Sequence, residues 1–355
     1  MEFPFALNHK ALNGLSFTQK EIETSLKRGG LLSLELEFSK QCNLRCIYCY
    51  ASAGQKLENE LNLSEIKDII DQASDLGAKK IILLGGGEPL MYKELPQVVE
   101  YIFNKGLQQT IFTNGILLNH ALSIFLFKHE VSVVVKCNSN TPHIQDKMAN
   151  VEKAYEKIKS GFESLLEVGY PDKKCELGIQ TIICRENIHE LSDMWRWARK
   201  SGIIPYFEIM TYQGRAKEYP DLKVSIDEVR RVFEKLKEID EQMFGSSWNP
   251  HPTIAAFSCK RHFYSCLVNS QGEVQPCTGI NKSIGNIRGK KLKKILMESR
   301  MIKNLRNIFD NIEGACANCK FSSNCYGCRG NAFQTTGNYL SSDPFCWVNN
   351  DKKKK

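Results

Sequence analysis

The chain has no stretch of eighteen apolar residues, which excludes a membrane-spanning helix of ordinary length. Its start, "MEFPFALNHKALNGLSF", lacks a basic segment followed by an apolar run, so no secretory signal is expected and the cytoplasm is the expected compartment. Charge of one sign is also scarce. The net +8 falls to about +5 once the four lysines and Asp351 of the "DKKKK" tail are left out of the 48 basic and 40 acidic side chains. No nucleic-acid module stands out, and the excess fits a solvated surface or an anionic substrate. Neither a nucleic acid nor a membrane is an expected partner. Only about forty residues precede the first cysteine group, too few for a separate upstream peptide-binding domain.

What the chain does have is 355 residues, 42% hydrophobic and 25% charged, the composition of an ordinary globular protein large enough to bury a sizeable core. Fourteen cysteines are its distinguishing feature. With no secretion signal they point to a reducing compartment, where clustered thiols bind metal more often than they form disulfides. Eleven fall into two groups, residues 42–49 and 259–346; Cys137, Cys175 and Cys184 lie between.

Between residues 31 and 245 strand and helix patterns alternate. Strands are expected at 31–38, in "KKIILLGGGEP", in "QQTIFTNG", and at 131–139, 174–184 and 203–210. Helices follow each, including one across 143–168 and one across 225–244. Six such units imply a parallel sheet with right-handed crossovers, and a site built from loops at the strand C-termini. The cysteine loop, "GGGEP", "TNG", "CNSN", "CREN" and "MTYQGRA" all fall at those ends. After residue 245 helices shorten, turns multiply and cysteines recur, as in a loop-rich region that needs metal staples. The expected organisation is an N-terminal segment (1–30), a core (31–245), a cysteine-rich domain (246–350) and a disordered basic tail (351–355).

Cys42, Cys46 and Cys49 occupy eight residues after the first strand, and "GGGEP" (Gly85–Pro89) follows the second. Zinc sites and most iron–sulfur clusters want four protein ligands, so three thiols leave a position to be filled. Together these residues resemble the radical S-adenosylmethionine (radical SAM) superfamily. The resemblance implies a partial (β/α)6 parallel barrel and a [4Fe–4S] cluster on Cys42, Cys46 and Cys49. Its fourth iron is left for the amino and carboxylate groups of S-adenosylmethionine. It further implies reductive cleavage of that cofactor to a 5′-deoxyadenosyl radical, which abstracts hydrogen from a substrate C–H bond, with a flavodoxin or ferredoxin as electron donor. Gly85, Gly86, Gly87 and Glu88 would bind the cofactor's amino end, and Asn114 and Ser139 its ribose and carboxylate. The competing reading is a three-cysteine zinc site completed by a histidine.

Cys259, twelve residues, Gly272, four residues and Cys277 open a second pattern; Cys316, Cys319, Cys325, Cys328 and Cys346 complete it. This resembles the SPASM extension of radical SAM enzymes, which carries two auxiliary [4Fe–4S] clusters and would bring the total to three. By resemblance, Cys259, Cys266, Cys277 and Cys328 hold the inner cluster, and Cys316, Cys319, Cys325 and Cys346 the outer. A pair of zinc ribbons is the alternative.

Two enzymatic readings fit: epimerisation or dehydrogenation of a small polar molecule (an aminocyclitol, sugar or other secondary metabolite), and maturation of a ribosomally made precursor peptide or protein. Thr278, where sulfatase-maturing members have aspartate, counts against formylglycine formation. The segments "VKCNSNTPHIQDKM" and "FEIMTYQGRAK" look more like small-molecule members than haem-processing relatives, which favours the first reading. Cys184, closing the fifth strand, is a candidate hydrogen donor to a substrate radical, with a lean toward epimerisation, and Cys137 is its rival. Lys136, Glu208 and Arg215 are candidate substrate contacts. A non-enzymatic iron–sulfur electron carrier is the reading from another class; an open iron position argues against it.

Overall fold

The computed structural model describes residue 12 and residues 14–350; the basic tail expected at 351–355 lies outside the described residues. Helix α1 (Gln19–Lys27) opens with a capping box in which Thr18 and Glu21 satisfy each other's backbone N–H groups. Strand β1 (Ser33–Ser39) follows, then α2 (Leu63–Asp75), β2 (Lys80–Gly86), α3 (Leu95–Asn104), β3 (Gln108–Thr113), α4 (His120–Lys128) and β4 (Val131–Lys136). Next come α5 (Pro142–Ala149), α6 (Ala154–Glu167), β5 (Leu177–Ile183), α7 (Leu191–Lys200), β6 (Ile204–Ile209) and α8 (Ile226–Phe244). These six strands pair in parallel in chain order, β1 to β6, with helices outside, giving the expected partial barrel.

Strand alternation sets the two faces. In β1, Leu34, Leu36 and Phe38 join the main apolar core beneath the helices, together with Ile66, Ile70 and Val98. Glu35 and Glu37 alternate with them and are buried on the other, inner face. The single helix expected over 143–168 is two. Asn150 and Lys153 adopt left-handed φ values of 53° and 57°, and the Asp146 carboxylate accepts the backbone N–H groups of Lys153 and Tyr155 at 2.7 Å each. A local side-chain cap thus competes with helix propagation, which apolar periodicity does not reveal.

α7 and α8 are fastened by Asp240, fully buried, which accepts from Trp195 Nε1, Arg199 Nε and Trp248 Nε1 at 2.9 Å each. Such a satisfied buried charge fixes how helices dock and costs about 3–5 kcal/mol to break.

The cysteine-rich region is not a detached unit. Its strand β7 (Ser265–Val268) pairs in parallel with β1 on the edge opposite β2, and β8 (Glu273–Gln275) and β9 (Gly285–Asn286) continue antiparallel, giving one nine-stranded sheet. Short helices α9 (Leu292–Glu298), α10 (Arg300–Arg306), α11 (Ile308–Asn311), α12 (Arg329–Thr336) and α13 (Trp347–Asn350) complete the chain. No helix among the described residues is long and apolar enough to cross a membrane.

Candidate active site

Inside the partial barrel lies a cavity lined by Cys42, Cys46 and Cys49, by Gly85 to Glu88, and by Asn114, Lys136, Gln180, Glu208 and Arg261. The cysteine loop leaves β1 as irregular chain and is held by arginines. Arg45 Nη1 donates to the carbonyls of Cys42 (2.7 Å) and Leu44 (2.9 Å). Arg215 Nη1 donates to the Cys46 carbonyl at 2.9 Å, and its Nη2 to Ala53 at 2.6 Å. Arg215 is therefore a brace behind the loop and not one of the cavity-lining residues.

Without metal, the surroundings favour the protonated thiol at Cys42 and Cys46. Burial pushes Cys42 up to about 11 and Cys46 up to about 12, with neighbouring thiols adding to the effect. Ligation would have to remove those protons against desolvation, which a cluster's positive iron can do. Backbone N–H groups already point at sulfur: Leu44 to Cys42 Sγ and Ala53 to Cys49 Sγ, each 3.4 Å. Such N–H···S bonds stabilise cluster thiolates. These residues fit a three-thiolate cluster site, although no group of three ligating side chains is drawn close enough to be a preformed metal site among the described residues.

The glycines of "GGGEP" serve the chain's own backbone. A Cβ on Gly87 would stand 2.0 Å from the Gln41 carbonyl oxygen, and one on Gly85 would stand 1.7 Å from the Gly87 carbonyl oxygen. The segment is zipped to the cysteine loop by Gly87 N–H to Ser39 O (2.7 Å) and Glu88 N–H to Gln41 O (2.8 Å). Glu88 then accepts from Thr113 Oγ1 (2.6 Å), Asn114 N–H (2.8 Å) and Leu90 N–H (3.0 Å), tying the ends of β2 and β3. Burial outweighs these donors and pushes its carboxyl up to about 7. Asn114 Nδ2 donates to Asn43 Oδ1 at 2.7 Å, so its side chain spans from β3 to the cysteine loop.

Lys136 and Glu208 both face the cavity. Burial lowers the Lys136 ammonium, opposed first by the Glu208 carboxylate, and burial likewise raises Glu208. Gln180 Nε2 donates to Glu208 Oε1. On the same cavity Arg261, partly buried, pairs with the buried Glu35 at 2.8 Å. Gln180, Arg261 and Glu35 were not singled out by sequence. Glu35 and Gln180 have the inward strand parity that could have flagged them, whereas Arg261 lies in a short turn without periodicity.

Ser139 is fully buried and donates to Glu190 Oε2 at 2.8 Å, away from the cavity lining. Cys184 is fully buried too, among Ile47, Tyr48, Met148 and Met210, with its Sγ 4.0 Å from Met148 Sδ. It lies one residue past β5, where Asn187 Oδ1 accepts its backbone N–H, and it does not line the cavity. Cys137 is half-buried, its Sγ 4.0 Å from the Ser139 carbonyl, and is likewise outside the lining.

In the C-terminal region the thiols gather in two neighbourhoods. Cys259 and Cys328 are charge neighbours of Cys277, while Cys316 and Cys319 are charge neighbours of Cys325. Asp343 links the region holding Cys346 to the first group, since its carboxylate accepts the Cys328 N–H at 2.7 Å and its carbonyl accepts the Cys346 N–H. Backbone N–H groups of Gly327 and Asn331 reach Cys325 and Cys328 Sγ at 3.4 Å. Buried donors without partners surround the same place: Arg329 Nε and Nη2, Asn331 Nδ2 and Tyr326 Oη. Cluster sulfides and thiolates would satisfy them, so the residues fit iron–sulfur groups. Cys266 stands apart: its charge neighbours are Arg306 and Glu35, and it packs in the main apolar core.

The pattern of the radical SAM superfamily matches residues 36–198, and that of the SPASM iron–sulfur cluster-binding domain matches residues 259–320. This chain belongs to the radical SAM superfamily and carries an SPASM domain. Among curated proteins it is similar to an AdoMet-dependent heme synthase of Methanosarcina barkeri, 26% identical over 343 residues that cover 89% of this chain and 96% of that one. It is also similar to the mycofactocin maturase MftC of Mycolicibacterium smegmatis, 23% identical over 330 residues, covering 89% and 82% of the two chains. Among solved structures, Streptococcus suis SuiB bound to S-adenosylmethionine superposes with a TM-score of 0.71 at 18% identity, covering 92% of this chain and 81% of SuiB. The expected likeness to small-molecule members over haem-processing ones gains no support from these radical SAM relatives, and neither does an aminocyclitol substrate.

Proposed function

We propose that the protein is a radical SAM/SPASM oxidoreductase that removes hydrogen from a C–H bond of a polar, carboxylate-bearing substrate. The observation that carries this reading is the placement of Lys136, Gln180, Glu208 and Arg261 around the same cavity as Cys42, Cys46, Cys49 and the "GGGEP" segment. In this reading three [4Fe–4S] clusters are bound: one on Cys42, Cys46 and Cys49, an inner auxiliary one at Cys259, Cys277 and Cys328, and an outer one at Cys316, Cys319, Cys325 and Cys346. Held at those residues, a reduced cluster and S-adenosylmethionine would supply the hydrogen-abstracting chemistry, with a flavodoxin or ferredoxin as the electron donor.

The chain's own part is positional. Asn114 and Glu88 hold the cysteine loop, β2 and β3 in one register, and the glycines allow that approach. Lys136 offers an ammonium to a substrate carboxylate, while Glu208, oriented by Gln180, accepts from a substrate hydroxyl or amine. The surrounding apolar wall (Leu84, Phe112, Ile182 and Met210) excludes water from the reacting bond. Oxidation is preferred to epimerisation because Cys184 does not line the cavity; the substrate radical left by the first hydrogen abstraction would pass its electron to the inner auxiliary cluster and its proton to the Glu208 carboxylate.

A second reading, favoured by near full-length likeness to the heme synthase and to the mycofactocin maturase, is a larger substrate such as a haem precursor or precursor peptide, with one polar group entering the cavity. Lys136→Met tests the polar wall. It should preserve uncoupled formation of 5′-deoxyadenosine with dithionite and abolish substrate-dependent product. Loss of uncoupled cleavage instead would place Lys136 on the cofactor and remove this assignment.

A further inference from the structure

Fold kinship assigns four thiolates to the inner auxiliary cluster, but the chain delivers three. Cys266 lies in β7 in register with Leu34 of β1, while its neighbour Leu267 is in register with Glu35. Glu35 lines the cavity, so the alternation of β1 directs Leu34 to the opposite face. Cys266 shares that outer face: 1% exposed, it packs in the core that contains Leu34, Leu36, Val268, Leu292, Ile295 and Ile302. The other thiols are elsewhere. Cys259 packs against the inner-face group of Ile82, Phe112 and Tyr206. Cys277 belongs to the separate cluster of Phe263, Tyr264 and Tyr326, and has both Cys259 and Cys328 as charge neighbours. A side chain on the far face of a hydrogen-bonded strand cannot reach them without flipping its register, which would expose Val268 and disrupt the pairing with β1.

We propose that the inner auxiliary cluster is held by three thiolates only, Cys259, Cys277 and Cys328, and that Cys266 is a core residue. The proposal rests on the SPASM reading above. It also bears on the substrate. Thr278 and Gly279, immediately after Cys277, line the cavity, and Gln213 Nε2 holds the Thr278 carbonyl at 3.1 Å. An iron lacking a fourth thiolate would thus sit beside chain that borders the reaction space.

The test uses the full chain carrying Cys42→Ala, Cys46→Ala and Cys49→Ala, which leaves only auxiliary sites. Anaerobically reconstituted, this protein should hold roughly eight irons. Adding Cys266→Val, close in volume and apolar, should leave both the iron content and the electron paramagnetic resonance of the reduced clusters unchanged. Adding Cys277→Ala should lower iron to roughly four. Cys266→Ala is made in parallel, so that a packing failure of valine is recognised by its thermal midpoint. A drop to roughly four irons, or a changed signal of one cluster, in the well-folded Cys266 variants would overturn the proposal. Absence of iron in the parent triple variant would instead overturn the SPASM reading, and this proposal with it.

Discussion

Arg215, in the turn after the sixth strand, donates through Nη2 to the carbonyl of Ala53 at 2.6 Å and through Nη1 to that of Cys46 at 2.9 Å. One guanidinium thereby joins the last barrel strand to the first loop, across more than 160 residues of sequence. Each charge-assisted bond to a carbonyl contributes about 1.5–3 kcal/mol. Arg215→Ala should therefore lower the thermal midpoint and speed iron loss from the Cys42/Cys46/Cys49 site. If the variant keeps its iron and only the KM for substrate rises, Arg215 is a substrate contact after all.

Gly87 has no room for a side chain, since a Cβ would lie 2.0 Å from the Gln41 carbonyl oxygen. Backbone cannot yield as a flexible side chain can, so Gly87→Ala should separate "GGGEP" from the cysteine loop. The expected outcome is loss of S-adenosylmethionine binding by calorimetry, with the auxiliary iron retained. Tight cofactor binding by that variant would contradict the packing argument.

Glu88 gives a pH signature. Burial pushes its carboxyl up to about 7 from an ordinary 4.5, so between those values the native chain keeps a proton that the unfolded chain releases. Its contribution is complete below 4.5 and is lost as pH rises through 7. Between pH 5.5 and 7.5 that amounts to about 2 kcal/mol. Glu88→Gln cannot titrate, and its unfolding free energy should vary correspondingly less over this range in anaerobic denaturant titrations. Equal slopes for the two proteins would show that Glu88 is ionised throughout.

Much of this was legible in the sequence because it rests on local chemistry. Cysteine spacing after a strand, "GGGEP" after the next, and six alternating units place the cavity without coordinates. What was not legible depends on long-range register. Cys266 reads as one more thiol in a cysteine-rich run, and only the pairing of β7 with β1 shows which face it takes. Arg261 and Glu35 are 226 residues apart, and their ion pair exists because the same edge pairing brings the C-terminal region over β1. Cys184 follows β5 directly, but Ser139 lies three residues past β4, which ends at Lys136 and not at 139 as expected; Cys184 is capped by Asn187 and Ser139 donates to Glu190, and neither lines the cavity.

Cys184→Ala checks that last point in solution. Buried among methionines and a tyrosine and off the cavity, the thiol is replaceable at a cost of packing alone. Product should form at the parent rate, carry no solvent deuterium at the reacting carbon, and be two mass units lighter than substrate. Accumulation of unfinished product with continued consumption of S-adenosylmethionine would restore Cys184 as a hydrogen donor and the reaction as an epimerisation.

The central claim is that Cys42, Cys46 and Cys49 hold the cluster at which S-adenosylmethionine is cleaved. The most direct measurement is 5′-deoxyadenosine formed under dithionite, with iron counted in the same samples. The parent chain should hold roughly twelve irons and form the nucleoside, and the triple alanine variant should hold roughly eight and form none. Cleavage of S-adenosylmethionine that survives the triple change would contradict the account.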